Sequence, residues 1–115
     1  MTIDAPVTAE SFSEVTVVGR LGARIDEREL PSGDAVTVFT VVVDRPPRER
    51  SGGTTVDAIA CQTFRPAVAR RLEAMTAGDW VRVEGVLRRR FWRAGAALGS
   101  AMDVDVRRVQ RVRRV

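Results

Sequence analysis

The chain has 115 residues and a net charge of +4, with nineteen basic side chains that are all arginine and fifteen acidic ones. A single cysteine excludes an intramolecular disulfide. Because the sequence has no histidine and no lysine, it offers no ordinary pair of nucleophile and base and no cluster of metal ligands. No apolar run approaches the roughly 20 residues of a membrane helix, so we expect one cytoplasmic domain without catalysis, cofactor, metal or membrane contact.

The amino-terminal half predicts an arm followed by two strands. Residues 1–13 lack hydrophobic periodicity and indicate a flexible arm. The β-branched segment 15–21 predicts the first strand. Residues 35–43 predict the second, and their sequence AVTVFTVVV ends as a continuous apolar run. Such a run is typical of a strand covered on both faces, by the core or by a partner subunit, so Val41 and Val43 are candidate subunit contacts.

The middle of the chain predicts a loop, a strand and a helix. Residues 44–55 contain RPPRERSGG, whose prolines, charges and glycines indicate an exposed loop that carries Arg45, Arg48 and Arg50. Strand character resumes over residues 56–63. Val68, Leu72 and Met75 then fall on one face of a helix predicted over residues 66–77.

The carboxyl-terminal part predicts two more strands. Residues 80–92 alternate, with Trp80, Arg82, Arg88, Arg90 and Trp92 expected on the outer face and a bulge expected near Gly85. Residues 94–99 are rich in alanine and glycine and predict a hairpin loop before a last strand at residues 102–107 and a basic end at 111–115. Five strands with a helix between the third and the fourth are the element order of an OB-fold barrel.

Positive charge is concentrated toward the carboxyl terminus. Residues 1–79 hold nine arginines and twelve acidic residues, whereas residues 80–115 hold ten arginines and three acidic residues. This gradient indicates a surface that attracts a polyanion. The absence of lysine is also explained by a GC-rich genome, but genome composition does not explain the clustering.

The segment VRVEGVLRRRFW at residues 81–92 places three arginines before two aromatic residues. Arginines neutralise phosphates, and flat rings stack on bases, so the combination suits an unpaired nucleic acid strand. A charged edge strand that prevents aggregation is the alternative explanation.

Several motifs in order resemble the bacterial single-stranded DNA-binding protein family: VTVVGRLG, PSGDAVTVFTVVV, CQTFRPAVARRL, AGDWVRVEGVLRRRFW and the last alternating strand. The likeness spans residues 15–109. It implies an OB-fold domain at residues 14–110, a dimer or tetramer of identical chains, and binding of unpaired DNA with little sequence preference during replication, repair or recombination, in association with the nucleoid. RNA is an equally acceptable ligand for stacking and phosphate contacts.

The resemblance also implies which residues bind. Phe64 and Trp92 fall at base-stacking positions, and Arg88 and Arg90 fall on the basic stretch that leads to Trp92. Because OB folds also bind through the loops that join their strands, Arg45, Arg48 and Arg50 are further candidate phosphate contacts. Two further positions that are aromatic in the family are Pro47 and Ala58 here, which predicts weaker binding. The acidic tail with which replicative members recruit enzymes is not expected.

Three alternatives stay open at the sequence level. Trp92 and Phe64 could fill the end of the barrel instead of facing a base. Trp80 is better explained as a subunit contact than as a stacking platform. The rival function is a protein-interaction module that docks on replication proteins or assembles with a full-length relative, and Pro47 and Ala58 are the residues that favour it.

Overall fold

Six strands and one α-helix make up the computed structural model, which describes residues 5–6 and 8–113. Residues 1–4 and 7 of the predicted arm and residues 114–115 of the predicted basic end lie outside this range. The elements are β1 (Val15–Leu21), β2 (Asp26–Glu29), β3 (Ala35–Asp44), a 3-10 turn (Pro47–Glu49), β4 (Val56–Thr63), α1 (Pro66–Glu73), β5 (Trp80–Ala94) and β6 (Ala97–Arg111). Within the described residues, neither α1 nor the 3-10 turn is long and apolar enough to cross a membrane.

The sheet closes into a ring because β1 pairs on both sides. Its strand order is β1-β5-β6-β4-β3-β2, and Arg20 and Leu21 at the end of β1 also pair with β3. All pairings are antiparallel except that of β4 with β6. Gly19 permits the closure, since a Cβ there would lie 2.2 Å from the carbonyl oxygen of Val42. The predicted barrel, with its helix after the strand that ends at Thr63, is confirmed.

The sequence prediction missed β2, whose four residues are DERE. Among the strands of the described residues, only β3 pairs with it, and three of its residues are exposed. A short strand at the edge of a sheet buries no apolar face, so its sequence carries no alternation. Backbone pairing with β3 alone therefore defines this sixth strand.

The predicted hairpin loop at residues 94–99 was wrong. Strand β5 continues to Ala94, and β6 begins at Ala97, so only Gly95 and Ala96 form the turn. Gly95 has a φ of 63°, the left-handed conformation that glycine adopts without strain. The small side chains of this segment give no alternating pattern, yet their backbones pair as an extended ribbon. The predicted end of the last strand was also too early, since β6 reaches Arg111.

The predicted bulge lies beside Gly85, but the extra residue belongs to β6. Glu84 pairs with Arg108 and Gly85 with Val106, which leaves Arg107 unpaired. A Cβ on Gly85 would lie 2.0 Å from the carbonyl oxygen of Asp105, so the strands approach this closely only at glycine. The bulge brings Val109 back onto the inner face that Val104 and Val106 occupy.

Aliphatic residues of the strands and α1 fill the barrel. Val68 and Leu72 of α1 are buried as predicted, although the helix ends at Glu73 rather than residue 77. By the alternation predicted for residues 80–92, Leu87 should face inward with Val81 and Val83, but it is exposed, because β1 pairs with β5 only as far as Gly85. Val41 is fully buried in the core of this one chain. It is therefore not available as a subunit contact, and that prediction was wrong.

Cys61 allows a direct test of the core. Burial, and secondarily the charge of Asp103, raises the pKa of this thiol to about 12. The sequence has no tyrosine and no lysine, so Cys61 is the one side chain expected to titrate between pH 9 and 12. The unfolded chain loses this proton near pH 8.5 while the folded chain keeps it. Titration of Cys61 should therefore leave the free energy of unfolding unchanged between neutral pH and about pH 8.5 and lower it by about 3 kcal/mol by pH 11.

Urea denaturation at several pH values measures this loss. Cys61→Ala is the matched control, because it removes the titrating group from a site that is already small and buried. The variant should show no decline over the same range. An equal alkaline decline in both proteins would contradict the assignment to Cys61.

Candidate nucleic-acid interface

Phe64 stands at the surface because the residues on either side of it are anchored. The buried hydroxyl of Thr63 donates to the carbonyl oxygen of Val106 at 2.8 Å and accepts from the N–H of Arg65 at 3.2 Å. Arg65 precedes the first turn of α1, which begins at Pro66. The Phe64 side chain is 44% exposed, so this ring does not fill the end of the barrel.

Trp92 is held on the hairpin but stays accessible. It pairs with Gly99 of β6, and a Cβ on Gly99 would lie 2.4 Å from the indole Cε2, so the ring rests on the backbone of the glycine. The guanidinium carbon of Arg90 lies 5.0 Å from the ring centroid, a cation–π contact. The side chain is 42% exposed. Trp92 is thus an oriented surface ring rather than a core residue.

Arg90 is itself fixed by a buried carboxylate. Its Nε donates to Asp103 at 2.5 Å, and Asp103 is only 4% exposed. This hydrogen bond raises the pKa of Arg90, although partial burial opposes the shift. Arg90 therefore compensates a buried charge and supports the ring of Trp92.

Phe64 lines one concavity of about 360 Å³ together with Arg88, Arg89 and Arg90 of β5. Arg88 and Arg90 lie on the face of β5 that also carries Trp92, as the alternation predicted. The Nε of Arg88 lies 4.0 Å from the carboxylate of Asp105, so Arg88 is only weakly paired. We call Phe64, Arg88, Arg90 and Trp92 the aromatic surface. It offers two rings for stacking and guanidinium groups for phosphates.

The predicted loop arginines are not part of the aromatic surface. The loop enters β4 at Val56, whereas Phe64 follows the other end of this strand, about 23 Å away at 3.3 Å per residue. Arg45 donates to both carboxylate oxygens of Asp57, and this hydrogen bonding raises its pKa. Arg48 and Arg50 are exposed. A strand of nucleic acid would have to cross the barrel to reach them from Phe64.

No ring lies along that route on β4. Pro47 begins the 3-10 turn of the loop, and Ala58 is exposed on β4 together with Val56 and Ala60. The two positions where an aromatic residue was expected from the family therefore lie in a loop turn and on a part of the sheet that carries small side chains. That their lack of rings weakens binding stays a prediction.

Trp80 and Val43, the other candidate subunit contacts, are half-buried. The guanidinium carbon of Arg20 lies 5.9 Å from the Trp80 ring centroid, and Arg20 also binds Asp44 at 2.6 Å. Hydrogen bonding to Asp44 raises the pKa of Arg20. Each tryptophan is thus in cation–π contact with an arginine that pairs with an aspartate. A subunit contact through Trp80 or Val43 stays a prediction.

Sequence reasoning missed Gln62, which lines the concavity, and it missed the roles of Asp103 and Gly99, which orient Arg90 and Trp92. The pairing register of β5 with β6 brings the last two into place, and no local pattern reveals a register. Among residues 5–6 and 8–113, no group of three His, Cys, Asp or Glu side chains is placed to hold a metal ion.

Comparison with known proteins identifies relatives across this domain. The model of the single-strand binding protein family matches residues 12–112. A single-stranded DNA-binding protein of Thermotoga maritima is 36% identical over 83 residues, which are 70% of this chain and 59% of that protein. One of Oceanobacillus iheyensis is 33% identical over 79 residues, 69% of this chain and 49% of that protein. The chain thus spans about half to three-fifths of the length of these relatives.

A solved structure supports the fold. A chain of a Plasmodium falciparum SSB complex with ssDNA superposes with a TM-score of 0.69 at 20% identity, over 86% of this chain and 89% of that one. At this identity the likeness shows the OB fold and no more. The family resemblance noted in the sequence is confirmed by the match over residues 12–112, and the chain belongs to the single-strand binding protein family.

Proposed function

We propose that this chain binds single-stranded DNA on the aromatic surface, with little preference for sequence. The observation that carries the proposal is that Phe64 and Trp92 are both exposed beside arginines of one concavity. Every base has a flat face that can stack on these rings, at about 1 to 3 kcal/mol each. Arg88 can meet a phosphate at the same time, since its charge is only weakly compensated. The names of the two relatives agree with this function.

Fluorescence anisotropy of labelled oligo(dT) at increasing salt tests the proposal. Binding should weaken with a slope of about 0.7 in log K against log salt for each phosphate neutralised. A duplex of the same length is the control and should bind much more weakly, because its bases cannot stack on the rings. Equal affinity for duplex and single strand, or no binding of oligo(dT) at low salt, would overturn the proposal.

The cellular role and the assembly are proposed at the level of the family. Binding of unpaired DNA fits replication, repair or recombination. RNA is the alternative ligand, and competition between DNA and RNA strands of matched sequence would distinguish the two. A dimer or tetramer is expected, with Trp80 and Val43 as candidate contacts. Light scattering that shows a monomer at micromolar concentration would contradict this expectation.

The rival function is a protein-interaction module, and the smooth surface at Ala58 together with the loop turn at Pro47 favours it. Under that hypothesis the chain would bind a replication protein or a full-length relative and hold DNA weakly. Replacement of both Phe64 and Trp92 by alanine would then leave the association with a partner intact.

A further inference from the structure

The bulge in β6 turns two consecutive arginines outward. In a regular strand Arg107 and Arg108 would point to opposite faces, and one of them would enter the barrel. Because Arg107 is the extra residue, both side chains are exposed instead. We infer that the groove beside this bulge is a second nucleic-acid site, which holds the sugar–phosphate backbone of the strand as it leaves the aromatic surface. This inference rests on the proposed function.

The groove has a volume of about 760 Å³ and lies between the segment before β1 and the β5–β6 hairpin. A hydrogen bond from the N–H of Leu87 to the Ser13 hydroxyl, at 2.9 Å, ties the segment to the hairpin and forms one wall. The basic residues of the lining are Arg65, Arg88, Arg107 and Arg108.

The charge of the groove is positive and largely uncompensated. Its two acidic residues are Glu14 and Glu84, and Glu84 is paired with Arg82 at 2.9 Å. Within the described part of the chain, no carboxylate lies within 4.0 Å of the guanidinium of Arg107 or Arg108. Like charges gathered in a concave surface raise the local potential and attract a polyanion. A chain of phosphates is the ligand that matches several unpaired arginines in a row.

The groove adjoins the aromatic surface at one shared residue. Arg88 lines both the concavity of Phe64 and this groove. At the other side, Arg107 and Arg108 also line a hollow against α1 that contains Arg71. A backbone that leaves Phe64 therefore meets Arg88, then the two bulge arginines, and then Arg71. The geometry predicts a longer binding path than the two rings alone occupy.

Oligonucleotide length separates the two sites. One OB fold covers about 4 to 16 nucleotides, so a strand of about 4 should occupy the aromatic surface alone, whereas one of about 16 should also fill the groove. Arg107→Gln and Arg108→Gln should each lower the salt slope by about 0.7 on the long strand and leave it unchanged on the short one.

Arg24→Gln is the matched control, since it removes the same charge from an exposed side chain that lies outside the groove. It should leave both slopes unchanged. If neither Arg107→Gln nor Arg108→Gln lowers the slope of the parent protein on the long strand, the second site is overturned. The proposed function stays intact in that case, because the parent protein still binds. A parent protein that binds neither strand would instead refute the proposed function. A lower slope on both strands would also overturn the second site, because the bulge arginines would then act on the aromatic surface.

Discussion

Replacement of both Phe64 and Trp92 by alanine is expected to weaken the binding of oligo(dT) by about 2 to 6 kcal/mol, which is roughly 30- to 20,000-fold. Both rings are exposed, Phe64 in the concavity that Arg88 and Arg90 line and Trp92 against Arg90, so each can stack on a base. The single variants should each lose about 1 to 3 kcal/mol. Fluorescence anisotropy at fixed salt measures all three affinities.

Phe91 provides the matched control for this experiment. Its side chain is 60% exposed, and it pairs with Ser100 on the opposite face of the hairpin from Trp92. Phe91→Ala removes the same kind of exposed ring and should change the affinity less than threefold. A large loss for Phe91→Ala, or none for the double variant that remains folded by circular dichroism, would move the site off the aromatic surface.

Arg90→Ala is expected to reduce the free energy of unfolding by about 2 kcal/mol, because it leaves the buried carboxylate of Asp103 without its guanidinium partner. The same change should weaken DNA binding, since the indole of Trp92 loses the cation that lies against its face. Chemical denaturation and anisotropy measure the two effects on one preparation.

A double-mutant cycle with Asp103→Ala isolates the pair. The double variant should be more stable than the sum of the two single losses predicts, because it removes the buried charge together with its partner. Arg88→Ala is the control on the same face, and its weak pairing with Asp105 at 4.0 Å predicts a stability change within about 0.5 kcal/mol. Additive losses for Arg90 and Asp103 would show that their contact does not stabilise the fold.

The architecture of the barrel could be predicted from the sequence because its strands alternate in hydrophobicity and α1 has clear start and stop residues. Val81 and Val83 face the core, and Pro66 begins the helix, as those patterns indicate. The pattern failed where pairing is made by the backbone alone. DERE in β2 and the Ala- and Gly-rich start of β6 form strands without burying an apolar face.

The site was predictable to a smaller extent. The exposure of Phe64 and Trp92 and the shared face of Arg88 and Arg90 agree with the sequence-based expectation. Their supporting contacts did not follow from the sequence, because they join residues that only the hairpin register brings together. Arg45 was expected to bind phosphate, yet the structure pairs it with Asp57, twelve positions along the chain.

The two tryptophans make the binding surface observable in solution. Each contributes one indole N–H signal to a nitrogen-15 NMR spectrum, and the chain has only Trp80 and Trp92. On titration with oligo(dT), the Trp92 indole signal should shift strongly, while that of Trp80, which is half-buried under Arg20, should stay in place. A shift of the Trp80 signal with an unchanged Trp92 signal would contradict DNA binding on the aromatic surface.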